Sequence, residues 1–585
     1  MPSPSRWALT PVSGADAARL AAALGVGLPA ASVLCARGFS DPDRARAFLS
    51  PSLHDLHDPF LMLGMGEAVA RLRQAIAAGE RILIYGDYDV DGSTAIVILK
   101  KAIEMAGGLV SHFIPHRLRD GYGLHGEAIE RAAHDGVRLI VSVDTGIRAA
   151  EAVRLARSLG MDVIVTDHHL PEAELPPAAA ILNPNRPGCG YPEKNLCGAG
   201  VAFKLIQALL ASCGWPRERI ERVTASFLKL VAIATVADVV PLIGENRVIV
   251  KHGLSGLAAV RNPGLRALLE VAGFPPPAAP TATQVAFRVA PRINAAGRMD
   301  SAMHVIEMFT TPDAERARSL AQLLHDLNAG RQQTETEIVE AVLEECARAP
   351  ITDRQAALVF CGDNWHRGVL GIVASRLLER FHRPIVVLSA ENGLAQGSGR
   401  SIAQFHLLDA LDAMPELFIK YGGHSHAAGL TLAAGDVPRF RERFNEYAAA
   451  RLTAADFVAE RRIDAPLSLA DLNDRAVAEV LAIGPFGNGN PDPVFAVYAA
   501  QIAGPPAVWK DKHLRFAVRQ NGRTMMVKAW GFAGRIQEFE PGACVDLALS
   551  VEQDSFSAAQ GLPGWSLSLR DVRPAQATGV NAARA

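Results

Sequence analysis

The stretch GDYDVDGSTA, residues 86–95, sets aspartates at positions 87, 89 and 91 and closes on Gly92. Its first half matches the D-x-D-x-D-G opening of a calcium loop, which also needs a glutamate at its twelfth position and a helix on each side. Ile98 stands at that position, and the preceding RILIYG reads as a strand. Three aspartates exceed what a helix cap requires, and neighbouring carboxylates repel each other unless a cation neutralises them. The loop therefore reads as a strand-to-helix turn that carries part of a metal site. Gly92 is its tight exit, turning Asp89 and Asp91 into a crevice.

Working outward, short β-branched runs alternate with amphipathic helical segments: RILIYG, TAIVILKKAIEMAG, LVSHFIP, GEAIERAAHDG, RLIVSVD, AAEAVRLARSLG and MDVIVTD. That alternation predicts an α/β domain on a parallel sheet, with its crevice at the carboxyl ends of the strands. Later runs, read as strands, end in chemistry as well: IVSVDTG at Asp144, VIVTDHH at Asp167, His168 and His169, and VAIATVADVVPL at Asp238. Each alone is usually a helix cap or a core hydrogen bond. Converging on one sheet edge, they need divalent cations to offset their charge. Hard oxygens with one or two imidazoles and no thiolate favour Mn²⁺ or Mg²⁺ over zinc. A pair of ions about 3.5–4 Å apart is the recurring arrangement for phosphoester or phosphoanhydride hydrolysis.

The chain has 585 residues, enough for several domains, and a formal charge of −2, so any nucleic acid must be held by local basic surface. Seven scattered cysteines lack CxxC spacing and read as reduced thiols. The amino terminus lacks a signal-peptide pattern and no run of about 18 apolar residues occurs, so a cytoplasmic protein without a membrane partner is expected. The segment from Thr311 is apolar at both ends and polar in the middle, as a helix joining two lobes would be. After it come a second α/β pattern (AALVFC, GVLGIVASRLLERF, PIVVLS) and then short strands, with Asn521-Gly522 as a hairpin signal.

In this order, DYDVDG, VDTG, DHH and ADVVPL resemble the four motifs of the DHH phosphoesterase superfamily, and GGHSHAAG (422–429) resembles the signature of its DHHA1 lobe. GYGLH, PRINAAGRMDSA, WHRGVLGIVASRL, SGRS and GPFGNGNPDP are similar to segments of its RecJ-type, single-strand-specific exonuclease branch. The resemblance implies a parallel-sheet α/β DHH domain at 76–310, preceded by an N-terminal segment (1–75) packed on it. A connecting helix (311–349), a smaller α/β DHHA1 domain (350–455), a β-barrel OB-fold (460–573) and a disordered tail (574–585) follow. It further implies that Asp89, Asp91, Asp144, His168 and Asp238 ligate two Mn²⁺ or Mg²⁺ ions, with Asp87 and Asp167 ligating or supporting. His169 would act on the scissile phosphate, Asp144 would bridge the metals, and water would be the nucleophile.

Phosphate contacts are expected from Arg117, Arg292, Arg298, His366 and Arg367, which stand in Gly-rich contexts. The resemblance places a 5′-phosphate pocket at Ser398, Arg400 and His424. In residues 508–532 six basic residues, among them Lys510, Lys512 and Arg515, face one acid and are interleaved with Trp509, Phe516 and Trp530. Charge with stacking platforms is how OB-folds hold single strands. The resemblance, and not the spacing, implies the expected activity: 5′ to 3′ degradation of single-stranded DNA to 5′ mononucleotides in repair and recombination by a monomer. A RecQ-type helicase and single-strand-binding protein are partners by resemblance; longer family members carry a further carboxyl-terminal domain for the latter. Rival readings are a small-substrate phosphoesterase, disfavoured by the barrel and the bridge, and an inert strand-binding scaffold, disfavoured by the complete ligand set.

Overall fold

The computed structural model describes residues 5–117, 119–554, 557, 561 and 563–575; from 576 onward the expected tail lies outside the described residues. The chain forms two compact units. One comprises Pro51–Thr334 with Pro485–Pro491, the other Met1–Ser50, Glu335–Gly484 and Asp492–Ala585.

The first unit is built on five parallel strands in the order Leu109–Phe113, Arg81–Gly86, Val137–Val143, Asp162–Thr166 and Ala180–Leu182. The alternation of strand side chains divides two cores. Ile82, Ile84, Leu139 and Val141 pack with the helices Val90–Met105, Gly198–Ser212 and Arg217–Ala237, while Leu83, Tyr85, Ile140 and Val163 pack with Gly126–His134 and Ala150–Ser158. From the strand Arg81–Gly86 the chain first builds to one side and then crosses to the other. The switch point thus falls between that strand and Val137–Val143, where open α/β sheets leave a crevice.

The expected connecting helix is a single element, Ala314–Arg348. Its polar centre is not solvated: Asn328, Arg331 and Glu335 are buried, and the Arg331 guanidinium donates to Asn328 Oδ1 at 3.2 and 3.1 Å.

In the second unit, one five-stranded sheet runs in the order Lys420–Gly423, Ala427–Ala433, Leu394–Arg400, Ile385–Glu391, Leu358–Asp363, with only the last pair parallel. A second, larger sheet closes on itself through Phe495–Ile502, Cys544–Gln553, Trp565–Pro574, Arg523–Ala529, His513–Gln520 and back to Phe495–Ile502. This is the five-stranded barrel of an OB-fold. The amino-terminal segment departs from expectation. Residues 1–75 do not stay together, because Arg6–Leu9 pairs in parallel with Glu460–Ile463 and the Gly27 N–H donates to Glu479 Oε2 at 2.6 Å. A four-residue strand has too little pattern to announce a partner so far along the chain.

Asp238 also departs from expectation. It follows the helix Arg217–Ala237 rather than a strand. An apolar run buried on all sides carries no period that separates strand from helix.

The Asn521-Gly522 turn joins strands that pair Gln520 with Arg523, and both turn residues have positive φ (50° and 75°). Gly522→Ala forces a Cβ into the left-handed region at a cost of about 1–2 kcal/mol. The expected outcome is a lower thermal unfolding midpoint with Mn²⁺ uptake unchanged; an unshifted midpoint argues against the turn.

Candidate metal centre and nucleic-acid contacts

The turn after Gly86 is tied down on every side. Asp89 caps the helix Val90–Met105, accepting from the Asp91 and Gly92 N–H groups at 2.9 and 3.0 Å. A Cβ on Gly92 would sit 2.6 Å from the Asp87 carbonyl oxygen, so glycine here serves close approach rather than an unusual φ. Behind the turn lies the helix Ala290–Met299. Asn294 Oδ1 accepts from the Val90 N–H at 3.1 Å, and a Cβ on Gly297 would meet the Tyr88 carbonyl at 2.5 Å. Sequence reading chose Arg292 and Arg298 from that helix and missed Asn294, whose role shows only once the two segments meet.

Asp91 is fully enclosed, and both its oxygens accept from the first turn of the helix Gly198–Ser212: Oδ2 from Gly198 N–H at 2.5 Å, Oδ1 from Ala199 N–H at 2.7 Å. Exposed N–H groups and the positive helix end favour a carboxylate there. Gly198 makes this possible, since a Cβ would lie 2.6 Å from Asp144 Cβ. Asp144 itself leaves the strand Val137–Val143 at φ 59°, a conformation few non-glycine residues hold.

His168 lies among three of the carboxylates. Its Nε2 is 3.2 Å from Asp144 Oδ1 and 3.9 Å from Asp91 Oδ2, and its Nδ1 is 3.8 Å from Asp238 Oδ2. Ligand atoms fall within 4.8 Å of one another in three sets: Asp87, Asp89 and Asp144; Asp91, His168 and Asp238; Asp144, His168 and His169. Asp167 differs in kind. Its oxygens accept from the N–H groups of Ile147, His168 and His169 at 2.9, 2.7 and 3.1 Å, and Oδ1 lies 2.7 Å from His169 Nδ1. These bonds hold the His169 ring against Asp167. Sequence reading also missed Tyr122, whose hydroxyl donates to the Asp144 carbonyl at 3.2 Å and lies 3.3 Å from His169 Nδ1. Asn183 and Asn185 hold the His169 and His168 carbonyls at 2.8 Å each, and the Asn-Pro-Asn after a strand was the available signal.

Burial and mutual repulsion set the charge. Burial, then Asp89, raises Asp87 to about 8. Burial, then Asp91 and Asp89, raises Asp238 to about 9. Asp144 is pushed well above the usual carboxylate range by burial and by Asp91, Asp89, Asp87 and Asp238. Burial lowers both rings, but for His169 the bond to Asp167 and the charges of Asp167, Asp91 and Asp89 together outweigh it, so His168 is lowered and His169 raised. Asp87 Oδ1 and Asp238 Oδ2 are buried without a hydrogen-bond partner. Buried oxygens without donors, in a cluster that resists ionisation alone, fit divalent cations.

The expected phosphate contacts divide by unit. In the first, Arg117 stacks 3.9 Å over the Tyr88 ring and lines a cleft of about 710 Å³ with His116, Arg119 and Asp300, while the Arg292 Nε lies 3.2 Å from His325 Nδ1. Arg298 shares the helix of Asn294. In the second, Arg400 Nη1 donates to Ser398 Oγ at 2.7 Å, and a Cβ on Gly371, in the first turn of the helix Leu370–Phe381, would meet Arg400 Nη2 at 2.9 Å. Arg367 is paired with Gln396, the His366 ring accepts from the Gly368 N–H at 3.2 Å, and His424 is exposed. On the barrel, Trp509 and Trp530 are exposed with ring centroids 4.9 Å apart, flanked by exposed Lys510, Lys512 and Arg515. Phe516 is instead a core residue, and Lys528 is paired with Asp554 at 2.6 Å.

Three family models match: the DHH family N-terminal domain over 81–235, the DHHA1 domain over 353–450 and the RecJ OB domain over 463–562. The chain is 42% identical to the single-stranded-DNA-specific exonuclease RecJ of Dickeya dadantii, with 76% of this chain and 80% of that protein covered. It is 38% identical to the RecJ of Bacillus subtilis across 88% of this chain, and spans 64% of that relative's length. The crystal structure of Thermus thermophilus RecJ with Mn²⁺ superposes at a TM-score of 0.82 and 33% identity, covering 98% of this chain and 80% of that one; the same protein is also solved with Mg²⁺.

The raised carboxylates predict how the metal-free fold responds to pH. Asp87 and Asp238 stay protonated in the folded state up to about 8 and about 9, whereas unfolded carboxyls release their protons near about 4. The folded state therefore binds more protons over that window. Its advantage is complete below about pH 4 and lost as pH rises through the folded values. Between about pH 6 and 9, where ordinary carboxylates are already ionised, the thermal midpoint in EDTA should fall, and excess Mn²⁺ should flatten the fall. A level profile in EDTA would count against the cluster.

Proposed function

The chain belongs to the RecJ family of DHH phosphoesterases, and we propose that it is a single-stranded-DNA-specific exonuclease that degrades 5′ to 3′, releasing 5′ mononucleotides in repair and recombination. The observation that carries the reading is the collection of Asp87, Asp89, Asp91, Asp144, His168 and Asp238 at one switch point, with two buried carboxylate oxygens lacking donors. Asp89, Asp91, Asp144, His168 and Asp238 would hold two Mn²⁺ or Mg²⁺ ions, with Asp144 shared and Asp87 alongside. Bound there, such ions supply Lewis acidity toward phosphoryl oxygens and make water acidic enough to attack at neutral pH.

The protein's own groups do the rest. Asp167, satisfied by three backbone N–H groups, fixes the His169 tautomer through Nδ1, leaving Nε2 for a phosphoryl or leaving oxygen. Raised by Asp167, the ring keeps its proton to higher pH and can donate as charge develops on the phosphate. Tyr122 links this histidine to the Asp144 backbone. Directionality is attributed to Ser398 and Arg400: a guanidinium and a hydroxyl beside a helix amino terminus suit a terminal phosphate. The exposed Trp509 and Trp530 offer bases a stacking surface among cations. The names of the relatives support single-stranded DNA as substrate.

Digestion of single-stranded DNA labelled at either end tests this directly. The expected outcome is Mn²⁺- or Mg²⁺-dependent release of mononucleotides from the 5′ end, abolished in Asp144→Ala; cleavage that survives that change, or starts at the 3′ end, refutes the proposal. His169→Ala should lower kcat by about 10²–10⁴ while Mn²⁺ uptake persists. Trp509→Ala and Trp530→Ala should each weaken single-strand binding by about 1–3 kcal/mol, read by fluorescence anisotropy, with little change in turnover of a dinucleotide.

A further inference from the structure

The segment GPFGNGNPDP (484–493) lies between the helix Asp474–Leu481 and the barrel strand Phe495–Ile502, yet Pro485–Pro491 folds as part of the unit that holds the metal cluster. It is preshaped. Gly487 N–H donates to Asn490 O at 2.8 Å, Asn490 N–H returns to Gly487 O at 3.1 Å, and the buried Asn490 Nδ2 donates to Pro485 O at 2.8 Å. The turn presents Asn488, which makes two contacts with the loop just past Asp238. Asn488 Nδ2 donates to the Val239 carbonyl at 2.6 Å, and its own carbonyl accepts from the Leu242 N–H at 2.7 Å. Gly487 and Gly489 allow the approach, since Cβ atoms there would lie 2.7 Å from Leu242 Cδ1 and 2.9 Å from Pro241 Cβ.

The loop needs such a hold. The helix Arg217–Ala237 ends with Asp238 as its cap, and the next residue, Val239, takes φ 58°. Glycine normally fills this left-handed position, and a β-branched residue there is strained. The Val239 side chain is largely exposed and contributes little packing to hold the conformation. From the other side, Asn246 Nδ2 donates to Pro241 O at 3.1 Å. If Val239 relaxed, the peptide that follows the Asp238 Cα would turn, and with it the direction of a carboxylate 3.8 Å from His168.

We infer that Asn488 is a positioning residue for Asp238, holding Val239 in its strained conformation so that the carboxylate faces the cation site. The inference rests on the reading of Asp238 as a metal ligand. The bland alternative is loop packing that contributes stability alone.

Mn²⁺ uptake by the full-length protein separates the two, followed by loss of the free-ion electron paramagnetic resonance signal, with no substrate present. Removing an outer contact of a metal ligand typically costs about 10–100-fold in affinity. Asn488→Ala and Asn488→Asp, which keeps the size of the side chain but lacks the donor, should each raise the Mn²⁺ midpoint by about 10-fold. The control is Arg71→Ala, which breaks ion pairs to Glu80 and to Asp162 at the far end of its strand. It should lower the thermal midpoint and leave the Mn²⁺ midpoint in place. Circular dichroism identifies which Asn488 variants fold, and either one suffices. An unshifted midpoint in a folded Asn488 variant, or an equal rise in Arg71→Ala, overturns the inference while leaving the proposed function standing. Absence of Mn²⁺ uptake by the wild type overturns the metal reading itself, and this inference with it.

Discussion

Repulsion among buried carboxylates is the constraint around which the first unit is organised. Asp87, Asp91 and Asp144 are nearly inaccessible, and no lysine or arginine pairs with any of them among the described ion pairs. Burial makes that repulsion harder to screen, so each acid is pushed toward its neutral form unless a cation arrives. The surrounding fold reads as a set of devices for holding such groups close together against that tendency. Asp89 is spent on a helix cap, Asp91 on two N–H groups, and Asp167 on three N–H groups and an imidazole.

The two helix ends at the site act with opposite sign. Asp91 meets the amino terminus of Gly198–Ser212, where the helix dipole stabilises negative charge. Asp238 follows the carboxyl terminus of Arg217–Ala237, where the dipole opposes it, and one of its oxygens has no donor. The fold thus satisfies one carboxylate itself and leaves the other in need of a positive ligand. A site that satisfied every carboxylate with backbone donors would bind cations weakly; one that satisfied none would strain the apo fold.

Much of this was legible in the sequence because the relevant signals are local. Strand runs ending in Asp87, Asp144 and Asp167-His168-His169 give the parallel sheet and its crevice together, and Asn521-Gly522 gives its hairpin. Asp238 does lie beside Asp91 and His168, but at the end of a helix where its run reads as a strand, since a fully buried apolar run has no exposed face to reveal its period. Phe516 and Trp530 looked equivalent among the cations, yet strand alternation buries the first and exposes the second. Asn294, Tyr122 and Gly198 act through segments brought against them from elsewhere in the chain, and no spacing rule reaches that far. The same holds for Arg6–Leu9, whose partner strand lies at Glu460–Ile463.

The peptide Pro485–Pro491 folds with one unit while both of its flanks belong to the other. Chain order and architecture are therefore interleaved, and the unit bearing the carboxylates is not encoded by one contiguous run of codons. A fragment ending after the helix Ala314–Arg348 would carry every carboxylate and imidazole of the cluster but lack a piece of its own wall. Exchanging accessory modules between relatives by recombination would have to preserve that peptide, or replace it with one matched to the host loop.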